Sequence, residues 1–491
     1  MLGLTRASHT ASSHSMKILY VASEVAPFSK TGGLGDVAGA LPAELAALGH
    51  EVKVVTPRYG SIKTERLTPT GHHLELRFPF GVERGPILSL RPSPNLELLF
   101  LEHGHYYDRG GIYGDAWGEF GDNHRRYAYL SIGALQAAQR LGFVPDIVHL
   151  NDWQTGLTPV ALQRAYQATA LGRARSVLTI HNLAYQGQFG KEVMGDLGLP
   201  WELFTAEHGL EFYDTVNFLK GAIQFSDALT TVSPTYAQEI QQPEGGANLD
   251  GLLRRRQGVL TGILNGIDVH EWNPETDTYL PERYGANELK GKAACRRELL
   301  RRFGLDADTQ APVFGIVSRL AWQKGVDLLL EVMPQALQAD IRFVAVGSGE
   351  GRYEDGLRAL QHHFPGQVGT FIGFDQGLSH LVEAGADFFI MPSRYEPCGL
   401  NQMYSLRYGT VPIVRATGGL VDTVDGGMEG DGILFEAFHP AALLAALRRA
   451  LALYAEPERL RAFRRRGMGR DFSWAASARK YERLFASLLT Q

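Results

Sequence analysis

Arg319 and Lys324, in the run SRLAWQKG at 318–325, are two cations in a loop between an apolar strand-like run and a helix-like segment. A planar guanidinium fork beside a compact ammonium suits a diphosphate. The alternative is a pair of solvated cations, one of them lying over Trp322. Glu396, in SRYEPCGL at 393–400, is a carboxylate whose only neighbouring base in sequence is Arg394. It is suited to accept hydrogen bonds from sugar hydroxyls and to stabilise a positive centre, or simply to complement the dipole of the helix that follows. A third set lies in 16–36, MKILYVASEVAPFSKTGGLGD, with Glu24, Lys30, Gly32, Gly33 and Gly35. A strand running into a glycine-rich helix start offers free backbone N–H groups to an anion, and Lys30 adds a full charge. A tight strand-to-helix turn with Lys30 in solvent is the other reading. The spacing is neither GxGxxG nor a P-loop. The run RATGGL at 415–420 makes a second glycine nest.

Weaker signals come from His181-Asn182, Asp152-Trp153 and Phe374. The ring of Phe374 could stack on a base or pack. Cys398 reads as a small packed thiol, because no His adjoins it in sequence. No grouping has metal-ligand spacing, and no GxSxG elbow occurs.

The elements that must position these residues alternate between strand and helix. Strands are expected at 17–22, 51–56, 146–150, 176–180 and 228–232, and again at 313–317, 341–346, 368–372, 387–391 and 411–414. Helices are expected at 37–48, where Pro42 predicts a kink or late start, and at 127–141. Others should begin near Val326, Gly351, Leu378 and Leu400. Between 59 and 123 the pattern predicts hairpins and then a glycine- and tyrosine-rich loop. Two such series imply two parallel-sheet domains of α/β class. The polar clusters at 24–36, 151–153, 181–186, 318–324, 373–375, 393–399 and 415–419 all follow strand ends, where open α/β sheets bind ligands. If the two domains face each other by those edges, the clusters line one cleft.

The chain has 491 residues, enough for two or more domains. Its net charge of −5 and lack of a basic block argue against a general nucleic-acid binder. Two cysteines cannot build a disulfide framework, which fits a reducing, cytoplasmic compartment. No apolar run is long enough to span a bilayer, so no membrane partner is expected. Residues 1–15 read as a disordered leader or an upstream start before Met16.

Taken together, KTGGLGD, Asp152-Trp153, HNxxYQG at 181–187, NGID at 265–268, SRLxxQKG, EPCGL and TGGLxDTV at 417–424 resemble the bacterial glycogen synthases and starch synthases. The resemblance covers nearly the whole chain from Met16, with the motifs in the family's order. It implies the GT-B fold, two Rossmann-like domains facing across a deep cleft: 16–262, joined by a returning helix at 474–491, and 263–473. It implies transfer of glucose from ADP-glucose to the 4-OH of a glycogen or maltooligosaccharide acceptor, with retention and with no metal or other cofactor. Lys30 and Gly33 would contact the donor phosphates and sugar, and Arg319 and Lys324 the leaving diphosphate. Glu396 would face the donor glucose, with Asp152 and His181 beside the transferring sugar. Gly418 and Gly419 would add backbone donors. Asp36, Asn265, Cys398, Gly399 and Thr417 fall among the substrate-binding positions. Phe374 stands where relatives commonly carry a Tyr near the base. Asn151 replaces a common His, and Ala416 a common Arg. The rivals are a UDP-glucose or sucrose-forming GT-B transferase, a phosphorylase, and a glucan-binding scaffold. Donor binding is expected to close the cleft.

Overall fold

A computed structural model describes residues 15–490. The expected leader lies outside the described residues except for Ser15, whose hydroxyl donates to the Gly49 carbonyl at 2.8 Å. The chain forms two compact units. The first holds residues up to 179, with 185–228 and the tail from 482; the second holds 180–184 and 229–481.

In the first unit seven strands follow one another in the order Arg175–Ile180, Ile147–Asn151, Lys17–Val21, Glu51–Pro57, Leu96–Leu101, Gly81–Ser93 and Thr68–Phe78. The first five are parallel, and the last two add antiparallel hairpin pairings. Strand Lys17–Val21 is central, and four of its five residues are buried. A strand covered on both faces needs such a continuous apolar run. The order reverses between Lys17–Val21 and Ile147–Asn151, so the loops after these two strands flank a topological switch point.

The helix expected at 37–48 instead spans Gly33–Ala47 and runs through Pro42. The two glycines that read as loop, Gly33 and Gly35, form its first turn. Gly32 precedes it in extended backbone, and no side chain caps the first N–H groups. A glycine at a helix start costs little when those donors are meant for something other than the helix.

In the second unit six parallel strands run in the order Val368–Ile372, Arg342–Gly347, Val313–Val317, Phe388–Met391, Val411–Arg415 and Ile433–Phe435. Numbered along the chain this is 3-2-1-4-5-6, the doubly wound dinucleotide-type order. Alternate residues feed opposite faces. Phe314, Phe343, Phe388 and Ile413 enter one core; Val313, Val344, Phe389 and Val414 enter the other. The switch point lies between Val313–Val317 and Phe388–Met391. Strand Ala228–Thr231 pairs in parallel with Leu260–Gly262. The last helix is Trp474–Leu489, and Ile267 bridges to Ser473 just ahead of it.

Candidate functional site

The loops at the second unit's switch point bring Lys324 and Glu396 together. Lys324 Nζ donates to Glu396 Oε2 at 2.6 Å, and Ser393 Oγ donates to the same oxygen at 3.0 Å. The pair is largely out of solvent, with 20% and 6% of the side chains exposed. A buried carboxylate is tolerable only with such partners. Arg394, the nearest base in sequence, turns away. It pairs with Asp327 and lies 3.9 Å from the Phe438 ring centroid and 4.5 Å from that of Trp322. Arg394, rather than Arg319 or Lys324, is therefore the cation over Trp322. Arg319 is exposed and enters no ion pair within the described residues.

Around Glu396 the backbone is held on several sides. Gly399 has φ +72°, and a Cβ there would lie 2.5 Å from Gln402 Oε1. Gln402, fully buried, donates through Nε2 to Cys398 O, Gly399 O and Thr423 Oγ1, each at 3.0 Å. This ties EPCGL to TGGLxDTV. The Cys398 thiol is buried and pushed up to about 12 by desolvation, with a backbone hydrogen bond from Asn265 opposing it. It is a packing group and no thiolate nucleophile at neutral pH. Asn265 is 6% exposed, and its Oδ1 has no hydrogen-bond partner among the described residues.

The glycine nest at 417–419 is already occupied. Glu239 Oε1 accepts from the Thr417 hydroxyl at 3.0 Å and from Gly418 N at 2.9 Å. Gly419 N donates to Glu396 O at 3.0 Å. Sequence reading offered these N–H groups to a ligand anion; the turn at Gly418, φ +46°, delivers them to partners inside the chain. Phe374 is 80% exposed, its ring free of the core.

In the first unit Glu24 holds the loop before the uncapped helix. Buried at 2% exposure, it accepts from Thr31 N, from Thr31 Oγ1 at 2.7 Å and from Tyr113 OH at 2.5 Å. Lys30 Nζ pairs with Asp36 at 2.7 Å, and 52% of its side chain is exposed. A Cβ on Gly33 would meet nothing within 4 Å, so the helix start is open on that side. On the adjacent strand Asn151 Nδ2 donates to Val21 O at 2.9 Å and its Oδ1 accepts from Tyr20 OH at 3.0 Å. The residue that departs from the family pattern thus stitches the two strands at the switch point. Asp152 follows with φ +56°, a left-handed conformation costly for a side chain and common at functional positions. Trp153 explains the glycine of YQG: a Cβ on Gly187, φ +63°, would lie 2.3 Å from its ring.

His181 directly follows strand Arg175–Ile180. Desolvation holds its imidazole down at about 3, so it is neutral at pH 7. It can offer a dipole there and no positive charge. Sequence reasoning missed the 233–239 segment altogether. Among the described residues no group of three or more His, Cys, Asp or Glu could hold a metal ion, and no helix is long and apolar enough to cross a membrane.

Two family models match this sequence: the starch synthase catalytic domain over residues 17–255 and glycosyl transferases group 1 over 300–467. The glycogen synthase of Myxococcus xanthus (strain DK1622) is 72% identical over 478 residues, covering 97% of this chain and 100% of that one. That of Anaeromyxobacter sp. (strain Fw109-5) is 53% identical over 480 residues, with 96% and 99% covered. The catalytic domain of starch synthase IV from Arabidopsis thaliana, solved with ADP and acarbose, has a TM-score of 0.89 at 33% identity, over 97% of this chain and 100% of that chain. Sucrose-phosphate synthase from Thermosynechococcus elongatus reaches 0.61 at 18% identity, over 97% and 99%, a likeness of fold alone.

Proposed function

We propose, because the chain belongs to the bacterial glycogen synthase family and carries its GT-B pairing of Rossmann-like domains, that it transfers glucose from ADP-glucose to the non-reducing 4-OH of an α-1,4-glucan with retention. Domain limits of 16–262 with 474–491, and 263–473, belong to the same reading, as does a cytoplasmic location. The observation that carries it is the Lys324–Glu396 pair at a doubly wound switch point, a cation for phosphate beside a carboxylate for sugar. Expelling ADP leaves negative charge on the diphosphate and positive character on the sugar. Arg319 and Lys324, with Lys30 and the open helix start at Gly33, stabilise the first; Glu396 stabilises the second. Asp36 holds Lys30 until the donor arrives. Neutral His181 and strained Asp152 serve the sugar as hydrogen-bonding groups, and Phe374 offers its exposed ring to the base. Asn265, Cys398, Gly399 and Thr417 shape the donor pocket. No carboxylate stands out as a covalent nucleophile, so the acceptor attacks on the leaving-group face and a diphosphate oxygen takes its proton. Trapping a glucosyl-enzyme on Asp152 or Glu396 would refute that step.

The test is incorporation of labelled glucose into glycogen from ADP-glucose, with UDP-glucose as control. Labelling from ADP-glucose is expected. Labelling from UDP-glucose alone would shift the reading to the rival transferase.

A further inference from the structure

Three residues of the short segment that sequence reading passed over make five hydrogen bonds, one to Pro397 beside Glu396 and four to residues 417–422. Ser233 Oγ accepts from Tyr236 N at 3.0 Å, starting the helix Pro234–Glu239, and donates to Pro397 O at 2.7 Å. Thr235 donates to the Asp422 carboxylate through both its backbone N and its hydroxyl, each at 2.8 Å. Glu239, at the helix end, takes the Thr417 hydroxyl and the Gly418 N–H on one oxygen. From there the path to the site is short. Gly419 N donates to Glu396 O, and a Cβ on Gly418 would lie 1.9 Å from that same oxygen. Backbone this tightly apposed moves together.

We propose that Glu239 is a positioning residue for Glu396. By fixing the 417–418 turn, it sets where the Glu396 backbone sits and so how its carboxylate meets Lys324. What this role requires is an acceptor oxygen held against the Thr417 hydroxyl and the Gly418 N–H. Ser233 and Thr235 brace the neighbouring backbone from the same short helix. The inference rests on the reading that gives Glu396 to the donor sugar.

The experiment compares Glu239→Ala and Glu239→Gln in the full chain, using thermal melts for folding and steady-state kinetics with glycogen as acceptor. Misplacing a reacting group by a fraction of an ångström costs up to about 10²-fold. Glu239→Ala is expected to lower kcat about 10- to 100-fold while the donor KM stays within about threefold. Glu239→Gln keeps an acceptor oxygen and is expected to restore kcat to within about threefold of wild type. Should the Ala variant fail to fold, Glu239→Asp draws the acceptor oxygen back from Thr417 and Gly418 and is expected to lower kcat several-fold. A kcat for Glu239→Ala within twofold of wild type overturns the proposal. So does a loss that Gln fails to rescue, or a lowered donor KM, which would make Glu239 a competing anion. Running each enzyme on both ADP-glucose and UDP-glucose keeps the two claims apart. A wild type that uses only UDP-glucose refutes the donor reading, and the Ala-to-Gln ratio on that donor still judges Glu239.

Discussion

Lys30 in the first unit and Lys324 in the second each follow the first strand of a parallel sheet, yet the carboxylate facing each comes from a different place. Lys30 pairs with Asp36, one turn into its own helix, and half of its side chain remains in solvent. Lys324 pairs with Glu396, from the loop after a different strand, and both are mostly enclosed. A local, wet ion pair is worth little and is easily exchanged for a ligand. An enclosed pair assembled by the sheet order is stiff, and its charges act in a lower dielectric. The cation of the first unit is thus loosely held at the surface, and that of the second is fixed by its enclosed partner.

The largest effect should come from breaking the enclosed pair. Lys324→Ala is expected to lower kcat by about 10²–10³, the range for removing a preorganised electrostatic donor. It also leaves Glu396 without its cation, so a falling melting temperature should accompany the loss. Lys30→Ala is expected to cost about tenfold, because a half-exposed charge is screened. Equal losses for the two variants, measured in the same transfer assay, would break the comparison.

A third expectation concerns pH. With His181 held at about 3 by desolvation, kcat/KM should show no inflection from this residue between pH 5 and 8. His181→Gln should therefore leave the shape of the profile unchanged while lowering its height. An inflection near pH 6.5 that vanishes in the variant would contradict a neutral His181.

The smallest effect lies away from both switch points. Glu383 is buried in the second unit and receives a hydrogen bond from Ser405 Oγ at 2.6 Å. Desolvation raises its carboxyl to about 8, against the opposing effects of Ser405 and Lys292. The folded state therefore holds this proton more tightly than the unfolded chain. The stability so gained is present below the ordinary carboxylate range near 4.5 and is lost as pH rises through 8. Glu383→Gln should melt about 2–4 °C above wild type at pH 8.5, with the gap narrowing toward pH 5. A gap independent of pH would mean that packing rather than protonation sets it.

Much of this was legible in the sequence because apolar runs and glycine punctuation are local. The central strands fall where the pattern puts them, and the final helix Trp474–Leu489 lies within the 474–491 that the resemblance implies. The helix at Gly33–Ala47 began earlier than expected, because glycines read as loop when their role is to start a helix and leave its donors open. The Lys324–Glu396 pair was hidden because it depends on strand Val313–Val317 lying beside Phe388–Met391, a neighbour relation that no spacing encodes. Arg394, the one base near Glu396 in sequence, turned to Asp327 and two rings. Glu239 carried no signal at all. It is one more polar residue on a short helix until the fold sets it against Gly418.

The direct test of this unequal arming is calorimetric titration of ADP into the wild type, Lys324→Met and Lys30→Met. A charge-assisted hydrogen bond worth about 1.5–3 kcal/mol predicts that Lys324→Met weakens ADP binding about 10- to 100-fold. Lys30→Met should weaken it by less than about fivefold. ADP bound equally well by Lys324→Met and wild type, or a greater loss from Lys30→Met, would contradict the account.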